Sequence, residues 1–346
     1  MIITRTPFRV SFFGGGTDYP AWYREEGGAV LSTSIDKYCY ITLRRFPPFF
    51  PNSFRIVWSH IEPVSSISEI LHPAVREGLR MMGLDDTQGV ELHHQGDLPA
   101  RSGMGSSSAF ANGLLLALKA LRNESVTKEQ LFQLAIELEQ QRIGDNVGSQ
   151  DQVATAVGGL NIIHFRKETG AIEVEPIAIS KERRELFGSR LMLFYSGSSR
   201  TASNIVSSFV ADLTKRQQQL KRMHQMVFEA RDILTGDGDI DQFGVMLDET
   251  WRMKRQLGGS ISNSMIDDIY ATARGAGAIG GKLLGAGGAG FFLVFARPER
   301  HRMIREALSR LIHVPFGFDT QGATLLLNAS DPATAPRSNP NLSVVA

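Results

Sequence analysis

Residues 98–108 read Leu98-Pro-Ala-Arg-Ser-Gly-Met-Gly-Ser-Ser-Ser108, a run rich in glycine and serine between a strand-like segment (Val90–Gln95) and a helical pattern that begins at Ala109. Its glycines let the backbone approach a ligand closely, and free amide groups at a helix start attract anions. Its serine hydroxyls add donors and a ligand for a hard cation. The run therefore indicates a polyphosphate bound with magnesium, and so a nucleotide-dependent enzyme. Taken alone, a simple helix cap explains it equally well.

Length and charge limit the class of protein. The chain has 346 residues, which exceeds the size at which one core usually keeps growing, so two domains are expected. The balance of 37 basic and 36 acidic residues argues against partners such as nucleic acid or a membrane surface. The single cysteine, Cys39, excludes an internal disulfide framework and a cysteine-based zinc cage. No apolar run reaches the length of a signal peptide or a membrane span, so a cytoplasmic location is expected.

The order of predicted elements indicates two α+β domains rather than a doubly wound sheet, because helices and strands alternate irregularly. Ile2–Phe13 and Ala29–Arg44 are predicted strands, and Thr127 to Arg142 is a predicted helix that begins with a capping-box pattern of Thr127 and Gln130. A charged stretch from 166 to 185 is the predicted boundary. The expected units are residues 1–185, residues 186–328 and a disordered tail, 329–346. Further elements are expected in the second half: strands at 190–195, 291–295 and 322–327, and helices at 203–234, 240–257, 264–274 and 298–311.

Two other glycine-rich segments match known nucleotide motifs poorly. Gly275-Ala-Gly-Ala-Ile-Gly280 has the G-x-G-x-x-G spacing, but it follows a helix and no βαβ unit surrounds it. Gly281-Lys282 comes nearest to a P-loop, yet Leu283 follows where serine or threonine belongs. Neither a dinucleotide-binding fold nor a P-loop fold is therefore expected.

Two carboxylates have a spacing that suits phosphoryl transfer. Glu139 lies beside the apolar face of the predicted helix, and Asp151 follows twelve residues later among small residues that leave it approachable. Such a pair can supply one magnesium ligand and one catalytic base. On spacing alone, a surface carboxylate explains each of them as well.

Three motifs in the same order resemble the GHMP kinase superfamily, which includes galactokinase and the homoserine, mevalonate and phosphomevalonate kinases. They are Arg9-Val-Ser-Phe-Phe-Gly-Gly-Gly-Thr-Asp-Tyr19, Pro99 to Ala109, and Lys282-Leu-Leu-Gly-Ala-Gly-Gly-Ala-Gly290. The resemblance covers about residues 1 to 327. It implies an amino-terminal domain like ribosomal S5 domain 2 and a ferredoxin-like carboxy-terminal domain, with ATP and substrate between them.

The resemblance also implies roles for individual residues. Asp151 would be the base or would orient the accepting hydroxyl, and Arg9 would pair with it and stabilise developing charge. Ser107 and Glu139 would hold Mg²⁺. Positioning and charge neutralisation are what phosphoryl transfer mainly requires. Backbone amides of the loop would cradle the triphosphate of ATP, the residues involved being Ser102, Gly103, Gly105, Ser106, Ser107 and Ser108.

For the substrate, the resemblance indicates a sugar or sugar phosphate. Galactokinases carry Gly-Glu-His-Thr-Asp-Tyr where this chain has Gly14-Gly-Gly-Thr-Asp-Tyr19. Asp18 keeps the carboxylate that would hold sugar hydroxyls, while Gly15 and Gly16 open space for a larger or phosphorylated sugar. This form is similar to D-glycero-D-manno-heptose 7-phosphate kinases and to fucokinase-type enzymes.

Further similarity to the heptose kinases lies at 148–152, 195–203, 251–254 and 261–263. Ser149 and Ala289 depart from that pattern. Arg200 and Lys254 are candidates for a substrate phosphate, although a surface cation explains each nearly as well. The residues assigned to the substrate are Gly15, Gly16, Thr17, Asp18, Arg200, Lys254 and Gly287.

The sequence therefore predicts an ATP-dependent kinase, monomeric or homodimeric, that phosphorylates the anomeric hydroxyl of a heptose 7-phosphate for nucleotide-activated heptose synthesis. Two alternatives stay open: a kinase of a free sugar such as L-fucose, and a sugar- and ATP-binding regulator without catalysis. The intact set of Arg9, Ser107, Glu139 and Asp151 argues against the regulator.

Overall fold

A computed structural model describes residues 1–197, 216–256, 261–285 and 287–329. Within these ranges the strands are β1 (Ile2–Phe13), β2 (Gly28–Arg45), β3 (Phe54–Val57), β4 (Ile61–Val64), β5 (Val90–Gly96), β6 (Leu160–Phe165), β7 (Ile172–Pro176), β8 (Leu191–Tyr195), β9 (Gly280–Leu283), β10 (Phe291–Phe295), β11 (Ile312–His313), β12 (Phe318–Asp319) and β13 (Thr324–Asn328). The α-helices are α1 (Pro20–Glu26), α2 (Pro73–Met81), α3 (Ser106–Leu121), α4 (Lys128–Ile136), α5 (Gln150–Val157), α6 (Lys181–Gly188), α7 (Gln217–Thr235), α8 (Asp241–Gln256), α9 (Ser264–Gly275) and α10 (His301–Ala307). Two 3₁₀ turns (Ile67–Glu69 and Pro298–Arg300) and a π-helix (Glu137–Ile143) complete them.

The larger sheet contains nine of these strands in the order β13-β1-β2-β5-β3-β4, with β6 and β12 also paired to β2, and β7 to β6. The long antiparallel pair β1–β2 forms its centre, with Arg9 opposite Ser34 and Ser11 opposite Ser32. From Thr6 onward every residue of β1 is buried, because helices and the second unit cover this strand. This burial accounts for the five apolar residues among the last eight of the strand, Pro7, Phe8, Val10, Phe12 and Phe13.

Helix α3 packs against β1 and β2, and it is nearly apolar all round. Gly113 lets the helix lie close to the sheet, since a Cβ there would meet Thr6 Oγ1 at 3.1 Å and Ile41 at 3.2 Å. The helix begins directly after the glycine- and serine-rich loop and lies across the sheet. Its amino terminus opens toward the second unit.

The smaller sheet has the order β11-β8-β10-β9 and is antiparallel throughout. An aromatic cluster joins the two units: Phe12 of β1 lies 5.4 Å, between ring centroids, from both Phe187 and Phe243, and Phe243 lies 5.8 Å from Phe295 of β10. All four rings are completely buried. This cluster fixes the second unit against the edge of the first, near the end of β1.

Most predicted elements are present, with three differences. The stretch from 166 to 185, predicted to be irregular, contains β7, which pairs with β6. The predicted 127–142 helix is α-helical only to Ile136 and continues as the π-helix. The predicted second unit extends to 328, yet β12 and β13 pair with β2 and β1 of the larger sheet.

Some predictions fall outside the described residues. They are the first part of the predicted helix at 203–234 and the tail from 330 onward. Among the described residues, no helix combines the length and the apolar character needed to cross a membrane.

Candidate active site

A cleft of about 270 Å³ lies where the loop before α3 faces the second unit. Its walls come from the end of β1 with the turn before α1, the loop and first turn of α3, the start of α5, and the β9 strand with the turn after it. Single residues of α7 and α8 complete the walls. The predicted site residues that line it are Arg9, Gly15, Gly16, Asp18, Gly103, Gly105, Ser106, Ser107, Ser108, Asp151, Lys254 and Gly287. Residues nearly 280 positions apart in sequence therefore meet in one place.

Three predicted residues lie behind the wall of the cleft. Thr17 is fully buried and donates to the carbonyls of Gly14 and Ala29, which holds the turn. Ser102 is also fully buried and donates to Pro99 O at 2.6 Å. Glu139 lies beneath the serines of α3. Arg200 lies outside the described residues.

The loop reaches α3 through two glycines in the left-handed region, Gly103 (φ 82°) and Gly105 (φ 73°). Gly105 is the residue before the helix, and its carbonyl accepts the first helical hydrogen bond, from Ala109 N at 2.9 Å. The amides of the first turn have no acceptor inside the helix. They are therefore available to an anion, which the helix dipole also favours.

Arg9 and Asp151 form a two-point ion pair across the cleft. Arg9 Nε donates to Asp151 Oδ1 and Nη2 to Oδ2, both at 2.7 Å. The third guanidinium nitrogen, Nη1, donates to the carbonyl of Gly103 at 2.6 Å. Because the Arg9 side chain is only 4% exposed, it holds the carboxylate and the loop before α3 in one fixed arrangement.

Glu139 is a buried carboxylate directly below the first turn of α3. Its Oε2 accepts from Ser108 Oγ at 2.7 Å and from Gln152 Nε2 at 2.6 Å. Burial raises the pKa of Glu139 to about 7, although hydrogen bonds from Ser108, Ser107 and Gln152 oppose the shift. A buried carboxylate beside serine hydroxyls suits a small hard cation, which prefers oxygen ligands. The described residues contain no cluster of three or more carboxylate, histidine or cysteine groups, so phosphate oxygens would have to complete such a site.

The turn after β1 presents Asp18 to the cleft. Gly16 N donates to its Oδ1 at 2.9 Å, and its Oδ2 lies so near Gly148 that a Cβ there would approach within 1.9 Å. Burial raises the pKa of Asp18, and the charge of Asp151 adds to this. The φ of 105° at Gly16 favours glycine. Gly15 has no such restriction, and a Cβ there would make only ordinary van der Waals contacts, at 3.8 Å from Gln150 Nε2 and 3.9 Å from Ser11 Oγ.

Two lysines reach the cleft from the second unit. Lys254 of α8 donates to Gly285 O at 2.5 Å and to Leu283 O at 3.2 Å. Burial lowers the pKa of Lys254 to about 8, with a smaller contribution from the charge of Arg9. Lys282 of β9 donates to Phe12 O at 2.8 Å, and burial also lowers its pKa well below the usual range. In the sequence, Lys282 belongs to the poor P-loop match and begins the third motif, but it is not among the predicted site residues.

The turn after β9 packs backbone against backbone on the loop before α3. A Cβ at Gly285 would lie 2.4 Å from Gly103 Cα, and one at Gly290 would lie 2.4 Å from Ser102 O. Phe291 N also donates to Ser102 O at 3.2 Å. The third glycine-rich motif therefore supports the loop before α3.

Sequence reasoning also missed Ser11, Arg101 and Gln150, which line the cleft. Ser11 lies two positions after Arg9 on the same strand, so the alternation of strand side chains could have pointed to it. Ser11 Oγ and Gln150 Oε1 are buried, and neither has a hydrogen-bond partner among the described residues. Both oxygens can accept a polar ligand after small side-chain rotations.

The loop before α3 and the Arg9–Asp151 pair meet in one cleft between two α+β units, with the carboxylate of Glu139 directly beneath it, and this arrangement is typical of a phosphotransferase. The family models described as GHMP kinases N terminal domain and GHMP kinases C terminal match residues 69–159 and 229–313. The chain belongs to the GHMP kinase family, whose members are ATP-dependent kinases. This membership confirms the predicted resemblance and the two-domain fold class.

Sugar kinases are among the relatives. The chain is 26% identical to the D-glycero-alpha-D-manno-heptose 7-phosphate kinase of Campylobacter jejuni, over 89% of this chain and 93% of that protein. It is 27% identical to the bifunctional fucokinase/GDP-fucose pyrophosphorylase of Arabidopsis thaliana, over 87% of this chain but only 30% of that protein. In fold it is similar to a D-glycero-D-manno-heptose 1-phosphate kinase from Bacteroides thetaiotaomicron, with a TM-score of 0.76, 22% identity, and coverage of 93% and 98% of the two chains.

Proposed function

We propose that this GHMP kinase transfers the γ-phosphoryl group of ATP to the anomeric hydroxyl of a sugar, and that the sugar is D-glycero-D-manno-heptose 7-phosphate. The product would serve nucleotide-activated heptose synthesis. The observation that carries the proposal is the Arg9–Asp151 pair, because it puts a candidate base and a cation between the phosphate-binding loop and Asp18.

In the proposed reaction the sugar hydroxyl oxygen forms a bond to the γ-phosphorus, the bond from that phosphorus to the bridging oxygen breaks, and ADP leaves. Asp151 orients the hydroxyl and accepts its proton. Arg9 keeps Asp151 aligned through two hydrogen bonds and neutralises charge near the transferred group. Ser107 and Glu139 would hold Mg²⁺, which supplies neutralisation of phosphate charge when it is bound.

Three features of the cleft support a phosphorylated sugar. Asp18 offers a carboxylate to sugar hydroxyls, and Gly15 lines the cleft without a side chain. Lys254 reaches the cleft from the second unit, and its ammonium group donates to two carbonyls and has a third proton left to donate. A sugar held by Asp18 could therefore place a phosphate toward Lys254.

A free sugar such as L-fucose is the second candidate. The similarity to the plant fucokinase, which matches the chain over 87% of its length, favours this alternative. A binding protein without catalysis is disfavoured, since Arg9, Ser107, Glu139 and Asp151 are all present and lie in or directly beneath one cleft.

The first test is ADP release with magnesium and ATP across D-glycero-D-manno-heptose 7-phosphate, L-fucose, galactose and mannose. We expect preference for the phosphorylated heptose. Preference for a free sugar would keep the kinase and reject the substrate. Binding of ATP and a sugar without ADP release would support the binding protein instead.

A further inference from the structure

Arg101 is the most unusual residue of the phosphate-binding loop. Its φ is 58°, in the left-handed region that favours glycine, and among the described residues only two other non-glycine residues, Asn123 and Glu168, share a positive φ. An arginine gains nothing locally from this conformation, which carries a steric cost for a residue with a Cβ. Such strain persists where the surroundings impose it, and it is concentrated at functional sites.

Arg101 lies where a strained backbone can serve ligand binding. The residue lines the same cleft wall as Gly103, Ser106 and Ser107. Its backbone amide donates to Ser106 Oγ at 3.1 Å, which joins it to the first turn of α3. The side chain is exposed, and within the described residues its guanidinium forms no ion pair. The charge is therefore free for a ligand.

Among the described residues, no carboxylate forms an ion pair with the guanidinium of Arg101. Asp145, whose pKa burial raises, feels the charge of Arg101 without forming an ion pair with it. The amide groups at the start of α3 favour a negative ligand at the same place. A guanidinium binds phosphate oxygens through two parallel hydrogen bonds, which suits a polyphosphate better than a single hydroxyl.

We infer that Arg101 binds the polyphosphate chain of ATP as a second arginine of the cleft beside Arg9, and that its left-handed backbone aims the guanidinium into the cleft. This inference rests on the proposed function, because it places ATP at the start of α3. It adds a cation that the serine and glycine pattern did not reveal.

The test compares Arg101→Gly with Glu168→Gly, since both changes place glycine at a left-handed position. Glu168 is exposed, lies in the turn between β6 and β7 and does not line the cleft. Both variants should unfold at a temperature no lower than the wild type, because glycine removes the steric cost. Calorimetry with magnesium-ATP should show about tenfold weaker binding for Arg101→Gly alone, while AMP binding changes by less than about twofold.

A third variant, Arg101→Gln, keeps a polar side chain and the Cβ that makes the left-handed backbone costly, but it removes the charge, so it should weaken ATP binding as much as glycine does. ATP affinity equal to wild type in Arg101→Gly would overturn the inference and leave the proposed function intact. Equal weakening of ATP and AMP, or a clear loss of stability in Arg101→Gly, would also overturn it, because the residue would then be structural. A wild-type chain that binds no ATP would overturn the proposed function as well.

Discussion

Asp151 is held at two points by Arg9 and at the same time faces the open cleft. Asp151→Asn should keep ATP affinity and lower kcat by at least about a hundredfold, because the amide cannot accept a proton and pairs poorly with a guanidinium. Steady-state kinetics together with direct ATP binding measure the two effects separately. Near-normal kcat would remove Asp151 from the chemistry.

The lowered pKa of Lys254 predicts that KM for the phosphorylated sugar depends on pH. Because its pKa is lowered to about 8, its ammonium loses its charge as pH rises through that value. KM for heptose 7-phosphate should therefore rise from about pH 7 to about pH 9, while KM for an unphosphorylated sugar should change little. In Lys254→Met the KM for the phosphorylated sugar should be high and independent of pH over this range.

The same lysine should make the folded state more stable as pH rises, although binding of the phosphorylated sugar weakens over the same range. Its folded pKa lies below its unfolded value, so the unfolded chain binds more protons between these two values. The contribution of Lys254 to folding therefore becomes more favourable as pH rises above about 8. A rise of both KM and stability with pH is the combined signature, and a flat KM would exclude Lys254 from phosphate binding.

At the scale of elements, the stability of the helix that leads to Glu139 depends on the capping box at its amino terminus. The predicted capping box is confirmed: Thr127 Oγ1 accepts from Gln130 N at 3.1 Å, and Gln130 Oε1 accepts from Thr127 N at 3.0 Å. Thr127→Ala should lower the free energy of unfolding by about 1 kcal/mol. Denaturant unfolding measures this change, and KM for ATP should stay constant because the cap lies three turns from the cleft. A raised KM would show that the cap also positions Glu139.

The elements found from sequence are those with strong local signals. Alternating β-branched and aromatic residues gave β1 and β2 nearly to the residue, and the capping box gave the start of α4. Strand β7, by contrast, carries two glutamates among its five residues, of which three are exposed and none is fully buried, so its sequence resembles a charged loop. The π-helix was missed because no local pattern distinguishes it, although it carries the buried Glu139.

The cleft also combines residues that local sequence patterns predict with residues that they do not. Motifs in one stretch of chain predict the loop before α3 together with Arg9, Asp18 and Asp151. Lys282 and the contact of Gly285 with Gly103 depend on how the two units pack, and no local pattern contains that information.

At the scale of the whole molecule, the glycines of the second unit allow the two units to approach. Gly285→Ala should weaken ATP binding and lower stability together, because its Cβ would collide with Gly103 Cα. Gly170→Ala is a matched control: its φ of 67° is similar to the 73° of Gly285, but the nearest atom would lie 3.8 Å away. The control should lose stability without losing ATP affinity, as calorimetry and thermal unfolding can show. Equal ATP affinity in both variants would show that the contact does not support the loop.

The three hydrogen bonds of Arg9 have a consequence for how the two ligands affect each other's binding. One guanidinium holds both the carboxylate of Asp151, the proposed base, and a carbonyl of the loop that is proposed to bind the nucleotide. A movement of that loop on nucleotide binding must then alter the free energy of acceptor binding. Thermodynamic linkage requires the acceptor to change the nucleotide's affinity by the same factor. The two ligands are thus expected to bind cooperatively, with a single arginine as the coupling element.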